Sequence, residues 1–294
     1  MYRLFLGDAK DTVSKFDDES IDVLISDIPY GVKINSNWDN AVPSNDIWNE
    51  CYRVLKPGSY CIIFGQPSMV CDIIKVMSST KFEYRDMWVW HYQGTHTKGI
   101  KLETPEGLFR SRIRNVFNPI YVFRKQIEIS ELHNWRKYHT NLLNIDVVRE
   151  PYKGNHTSIM DKYNKTGKKH YQSEKKSNTF KTMGRKGWVP DSRGREPVNL
   201  QYFPRATSKE KTIDGLVKNK HETVKPIKLM MWLINLTTSY EKQVVLDPFC
   251  GTGSTGCACK LLNRGFIGID NDPDSIKVAK ARLDGINNIR GMFL

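Results

Sequence analysis

Short apolar runs alternate with amphipathic segments at both ends of this sequence, the pattern of a parallel sheet covered by helices on its two faces. Residues 21–30, IDVLISDIPY, form a near-continuous apolar run, as in a strand buried from both sides. YRLFLGD at 2–8, SYCIIFG at 59–65, FEYRDMWVWHY at 82–92 and PIYVFRK at 119–125 read as further strands. Between Asn45 and Leu55, apolar Ile47, Trp48, Cys51, Val54 and Leu55 recur at helical spacing, and Pro57-Gly58 stops the helix. PSMVCDIIKVM at 67–77 predicts a second helix. The rhythm returns after residue 221, with a helix over 225–240 carrying Pro226 in its first turn, a strand over 243–249, a helix over 253–265 closed by Gly265, a strand over 266–270 and a last helix over 273–283. The expectation is an α/β fold with a doubly wound, mostly parallel sheet, split in sequence by a long insertion.

At 294 residues the chain has room for one large domain with an insertion, not for two of full size. A content of 39% hydrophobic and 26% charged residues leaves material for a core and excludes a wholly disordered or fibrous protein. No stretch reaches the roughly 18 apolar residues of a membrane span, and the opening MYRLFLGDAKD meets an acid too early for a secretory signal. A soluble, cytoplasmic protein with no membrane partner is expected. Cysteines 51, 61, 71, 250, 257 and 259 include no C-x-x-C pair; they are expected reduced, with no metal site, because Cys257 and Cys259 lack a second ligand pair.

The charge is distributed unevenly. Of a formal +13, residues 1–130 contribute 16 basic and 16 acidic side chains, residues 131–220 contribute 20 and 9, and residues 221–294 contribute 9 and 7. Nearly all the excess therefore sits in one segment, the electrostatic footprint of a polyanion partner; a solubilising or membrane-surface loop is the alternative. From Pro151 to Val198 aliphatic residues almost vanish, so the stretch buries little by itself and is expected to be partly disordered without its partner. Tyr152, Tyr163, Tyr171, Phe180 and Trp188 lie among its basic residues, where they suit base stacking and equally the scarce core of a small subdomain.

Asp247-Pro248-Phe249-Cys250-Gly251-Thr252-Gly253-Ser254-Thr255 runs from a buried strand through glycines into a helix. Such a turn admits a ligand close to the backbone, and the helix start offers free N–H groups to a carboxylate or phosphate. The next strand ends in Asp270, about 20 residues after the glycines, where dinucleotide folds bind ribose hydroxyls. A nucleotide-like ligand is the natural reading, and a tight structural turn is the alternative.

These residues resemble the S-adenosylmethionine-dependent DNA amino-methyltransferases. Asp247, Phe249, Gly251, Gly253, Ser254 and Thr255 fall in what resembles the family's cofactor motif I, and His221-Glu-Thr223-Val-Lys225-Pro226, on the helix before it, resembles motif X. By that resemblance Asp270 holds the cofactor ribose, Asp8 of Leu6-Gly7-Asp8 contacts its adenine, and Thr223 and Lys225 face its methionine carboxylate. Asp27-Ile28-Pro29-Tyr30 is similar to the catalytic motif IV, usually Asp-Pro-Pro-Tyr. The order, catalytic motif before cofactor motif, is that of the permuted β group. The resemblance thus implies a seven-stranded, Rossmann-like, circularly permuted methyltransferase sheet, with residues 1–130 its catalytic half, 131–220 a basic target-recognition insertion and 221–294 its cofactor half. Lys168, Lys169, Lys175, Lys176, Arg185, Lys186, Arg193 and Arg195 are the candidate DNA contacts.

The tetrad makes chemical sense atom by atom. An exocyclic amino nitrogen is a poor nucleophile because its lone pair is delocalised into the base. Two acceptors aimed at its N–H bonds localise that pair, and a carboxylate stabilises the positive charge that develops. Asp27 is one acceptor, and the family resemblance implies that the carbonyl of residue 28 is the other; isoleucine keeps that carbonyl but lacks proline's fixed φ, which puts the rigidity of the loop in question. Tyr30 would stack on a base flipped from the duplex, since the amine is unreachable inside the stack. Asp27 could instead be a strand-end carboxylate capping a turn, and Trp88 and Trp90 could line the base pocket or belong to the core.

The expected function is methyl transfer from S-adenosylmethionine to a flipped adenine's N6 in double-stranded DNA, in a restriction-modification or phage setting; the resemblance implies adenine because Asp heads the tetrad. Alternatives are an N4-cytosine enzyme, an RNA amino-methyltransferase and an inactive DNA-binding homologue. Related enzymes are often dimers, so a homodimer is among the expectations.

Overall fold

A computed structural model describes residues 1–29, 42–93, 99–151, 191, 193–221 and 223–293. The chain divides into a larger unit, Met1–Asn144 with Asn199–Leu294, and a smaller one, Ile145–Val198. The larger unit holds ten strands among its described residues: β1 (Tyr2–Leu6), β2 (Val23–Asp27), β3 (Tyr60–Phe64), β4 (Glu83–His91), β5 (Lys101–Thr104), β6 (Gly107–Arg110), β7 (Phe117–Arg124), β8 (Leu200–Tyr202), β9 (Val244–Asp247) and β10 (Gly265–Asp270). Eight form one sheet in the order β1-β10-β9-β2-β3-β7-β4-β8, while β5 and β6 pair separately as a hairpin. β7 runs antiparallel to both β3 and β4, and every other neighbouring pair is parallel.

The central strands are buried on both faces because both faces carry helices; all five residues of β3 are inaccessible or nearly so. The helices are α1 (Ala9–Val13), α2 (Asn45–Val54), α3 (Val70–Ser78), α4 (Glu131–Tyr138), α5 (Ser208–Thr212), α6 (Ile227–Thr237), α7 (Ser254–Leu261) and α8 (Pro273–Gly285). In α2 the predicted stripe of Ile47, Trp48, Cys51 and Val54 is buried, with Trp48 turned edge-on to Phe249 at 6.3 Å between ring centroids. α8 begins where Asp272 accepts the Asp274 and Ser275 N–H groups and Pro273 takes the first turn.

Several sequence expectations are corrected. The main sheet has eight strands, not seven, because Leu200–Tyr202 pairs with β4 through Val89↔Leu200, Trp90↔Gln201 and His91↔Tyr202. Gly265 does not close α7: the helix ends at Leu261, Asn263 takes the left-handed turn at φ 56°, and Gly265 opens β10. The His221–Pro226 stretch precedes α6 instead of lying on it, with Pro226 as the residue flanking its first turn. Residues 131–144 and 199–220 cluster with the larger unit.

In the smaller unit Glu150 and Arg195 form an isolated antiparallel bridge, and Arg149 Nη1 donates to the Gly194 carbonyl at 2.9 Å. The stacking aromatics fall on residues 152–190, outside the described residues, as does most of the Pro151–Val198 stretch expected to be partly disordered. No helix among the described residues is long and apolar enough to cross a membrane.

Candidate active site

Asp27 ends β2, Asp247 ends β9 and Asp270 ends β10, and these strands are parallel neighbours, so three carboxylates stand along one edge of the sheet. Helices begin and loops cross at that edge, leaving the crevice in which open α/β sheets bind ligands. A cavity of about 570 Å³ lies there, within the usual size of small-molecule sites. Asp8, Asp27, Ile28 and Pro29 line it from the N-terminal half; Thr223, Lys225, Asp247, Phe249, Gly251, Ser254, Thr255 and Asp270 line it from the C-terminal half. Residues more than 200 positions apart are thereby gathered around one space.

Asp247 is 3% exposed, and burial pushes its carboxyl up to about 7. Three donors converge on it: Ser26 Oγ at 2.6 Å, Thr255 Oγ1 at 2.6 Å and the Phe249 N–H at 3.3 Å. The acid therefore braces β2 to the start of α7. Asp270, partly exposed, accepts the Gly251 N–H at 2.8 Å and the Asp272 N–H at 2.9 Å, which orient it toward the cavity rim; burial raises its carboxyl too. Asp8 caps α1 by accepting the Asp11 N–H at 3.0 Å.

The two glycines of the turn do different work. Gly251 has φ 49°, and a Cβ there would meet nothing within 4 Å, so its backbone is open to a ligand. Gly253, at φ 78°, does not line the cavity; a Cβ would lie 2.9 Å from Leu283 Cδ1 and 3.0 Å from Ala279 Cβ. It serves the close approach of α8 to α7. Gly253→Ala is expected to destabilise the protein by about 2–4 kcal/mol through strain plus overpacking, and Gly251→Ala by only about 1 kcal/mol. Thermal unfolding of the two variants checks this, and equal losses would refute the division of roles.

Arg282, fully buried on α8, is a site residue that the motifs do not mark. Its Nη1 donates to the Thr252 carbonyl at 2.6 Å and reaches the hydroxyls of Thr252 at 3.2 Å and Ser254 at 3.3 Å, fixing the glycine turn from behind. The signal lay in register: Arg282 falls in the stripe of Ala279, Leu283 and Ile286, and a cation in an apolar stripe marks a buried one.

Lys225, expected at a cofactor carboxylate, ion-pairs with Asp27; it is 6% exposed, with Nζ 5.3 Å from the Phe64 ring centroid. Thr223 Oγ1 lies 3.3 Å from His221 Nδ1, and burial lowers the pKa of His221, which also lines the cavity. Ile28 is 2% exposed inside the main core cluster, so packing anchors the loop that proline would otherwise stiffen. Tyr30 lies outside the described residues, as do Lys168, Lys169, Lys175, Lys176, Arg185 and Lys186. In the smaller unit Arg193 pairs with Asp191 at 2.7 Å, and Arg195 pairs with Glu150. Trp88 and Trp90 are 6% and 5% exposed and donate to Asp86 and to the Phe203 carbonyl; neither lines the cavity.

A mostly parallel sheet with acids at successive strand ends, and a glycine turn facing the same cavity, defines an α/β fold of the kind that binds nucleotide-like ligands at its strand ends. Residues 21–281 match the DNA methylase family of the N6/N4 type, and the chain belongs to that family. The type II methyltransferase M.HpaI of Haemophilus parainfluenzae is 28% identical over 96% of this chain and 74% of its own length. The DNA adenine methyltransferase YhdJ of Escherichia coli (strain K12) is 25% identical over 95% of this chain and 81% of its own. Among solved structures, PvuII DNA methyltransferase (cytosine-N4-specific) superposes with TM-score 0.58 at 14% identity, over 99% of this chain and 92% of that one. The M1.HpyAVI–SAM complex superposes with TM-score 0.54 at 19% identity, over 96% and 100%. Both structures share the fold.

Proposed function

We propose that this protein transfers the methyl group of S-adenosylmethionine to N6 of an adenine flipped out of duplex DNA. The observation that carries the reading is that Asp27, Ile28 and Pro29 open onto the same cavity as Asp247–Thr255 and Asp270, so donor and acceptor chemistry share one space. The residues lining the cavity fit the cofactor: Asp270 would offer carboxylate oxygens to its ribose hydroxyls, Asp8 would meet its adenine, the start of α7 would present backbone N–H groups, and Thr223 and Lys225 would suit its carboxylate. When bound, the cofactor would supply an electrophilic methyl on a sulfonium, its S–CH3 bond breaking to leave a neutral thioether as the N–CH3 bond forms, after which the methylated nitrogen loses one proton to solvent.

The chain's residues prepare the nucleophile. Asp27 accepts one N–H of the base's amino group and the Ile28 carbonyl the other, which localises the lone pair on nitrogen; the Asp27 carboxylate then stabilises the cation formed during transfer. Pro29 keeps the turn narrow and Tyr30 is assigned to stacking on the base. Asp247, Phe249, Gly253, Ser254 and Thr255 hold the cofactor turn in shape. The basic segment 131–220, with its lysines at 168, 169, 175 and 176, is assigned to target recognition, and the order of the motifs supports the permuted arrangement.

Asp at the head of the tetrad and the adenine specificity in the name of one relative support adenine; the cytosine-N4 specificity named for the PvuII structure keeps N4 of cytosine as the second reading. The test incubates the protein with methyl-labelled S-adenosylmethionine and, in parallel, unmodified duplex DNA and RNA, digests to nucleosides and identifies the labelled one by mass spectrometry. N6-methyladenine is expected; N4-methylcytosine would overturn the base assignment, and label in RNA alone would overturn the substrate.

A further inference from the structure

The first 130 residues balance in charge, yet the structure concentrates cations at one place within them. Between β4 and β7 the chain leaves the main sheet and forms the β5–β6 hairpin, paired Lys101↔Arg110 through Thr104↔Gly107. Every residue of β6, and Arg110, Ser111, Arg112, Ile113 and Arg114 in turn, is exposed. Arg110, Arg112 and Arg114 occupy alternate positions, and none of the three makes an ion pair among the described residues, whereas Arg193 and Arg195 each face a carboxylate. Lys101 pairs with Glu103 beside it.

The hairpin packs on little. Ile100 is 76% exposed, Phe109 53% and Ile113 95%, so apolar and cationic side chains stand together in water on an element too small to be stable alone. Its position follows from register. Asp27 pairs with Phe64, Phe64 with Ile120, and Ile120 with Trp88, while His91 pairs with Phe117 at the end of the β4–β7 ladder. The chain that departs after His91 and returns before Phe117 therefore rises from the same edge of the sheet as Asp27, three strands away.

We propose that residues 99–116 form a second DNA-contacting arm, in which Arg110, Arg112 and Arg114 bind backbone phosphates of the duplex beside the target base and Phe109 and Ile113 lie against its groove. The inference rests on the DNA-methyltransferase reading. Three guanidiniums with no carboxylate partner among the described residues complement a phosphate strand, whereas a two-fold interface centred on this patch would set it against its own copy, where the charges repel.

The test uses the full-length protein and a fluorescein-labelled duplex, followed by anisotropy at several salt concentrations. The triple variant R110Q/R112Q/R114Q should lower the slope of log K against log salt by about 2.7, at about 0.9 for each phosphate left unneutralised, and weaken binding at ~0.1 M salt by roughly 100-fold or more. Its S-adenosylmethionine affinity and melting temperature should match the parent's. An unchanged slope in a parent that does methylate DNA would overturn the arm alone. An unchanged slope together with loss of a dimer on sedimentation would assign the arm to chain–chain contact instead. If the parent neither binds nor methylates DNA, the arm falls with the function it rests on.

Discussion

Asp27→Ala is expected to lower kcat/KM for methyl transfer by at least about 10³-fold, since one of two acceptors that act in the transition state is lost. Cofactor affinity should not weaken, because the substitution takes nothing from the Asp247–Asp270 side of the cavity. A second effect follows from the structure: Lys225, 6% exposed, loses its ion pair with Asp27, which should lower the melting temperature. Adding Lys225→Met to Asp27→Ala should recover much of that stability and none of the turnover. Single-turnover assays, calorimetric titration with the cofactor and thermal unfolding of both variants separate these effects. Undiminished turnover in Asp27→Ala would sink the mechanism; full recovery of turnover in the double variant would show that the lysine's charge, not the missing acceptor, had been the fault.

Asp247→Ala should act on the frame. Ser26 Oγ and Thr255 Oγ1, both buried, lose their acceptor, at about 1–3 kcal/mol each, and the melting temperature should fall by roughly 5–15 °C. Asp247→Asn keeps the shape and removes the titration, which gives a pH test. The folded-state value, about 7, lies above that of an ordinary aspartate, so the folded protein holds a proton that the unfolded chain has released between about pH 4 and pH 7. The parent therefore loses stability as pH rises through that window, and no further above it. The stability of Asp247→Asn relative to the parent should climb from about pH 4 to about pH 7 and then level off. A difference that is flat across this range would mean that Asp247 ionises normally in the fold.

The strands of the main sheet were legible because residues such as Val23–Ser26 and Tyr60–Phe64 are buried on both faces and must read as apolar runs. The acids at their ends were legible through the glycine turn that follows one of them. The β5–β6 hairpin was not, since a strand exposed on both faces carries no alternation to detect. β8 has three residues and draws its strand character from its neighbour β4, not from itself. Residue types marked Asp27 and Lys225 as functional, but only the structure put them in contact, because β2 and the stretch before α6 meet at the same sheet edge. Ile28 shows the reverse: it departs from the family's proline and gives up the fixed φ, and burial compensates for the rigidity that the residue type alone does not supply.

The brace between Ser26 and Asp247 joins residues 221 positions apart, and β1 finds its partner only in β10. During synthesis the first strand and the catalytic loop leave the ribosome long before the strands that flank them, an interval of roughly ten seconds to a minute at about 5–20 residues per second. For that time β2 has β3 on one side and no β9 on the other, and the cavity has only one wall. A nascent chain thus lacks the second wall of this cavity until β9, β10 and the glycine turn between them have been made, and a product truncated before Val244 carries Asp27, Ile28 and Pro29 with no glycine turn opposite them.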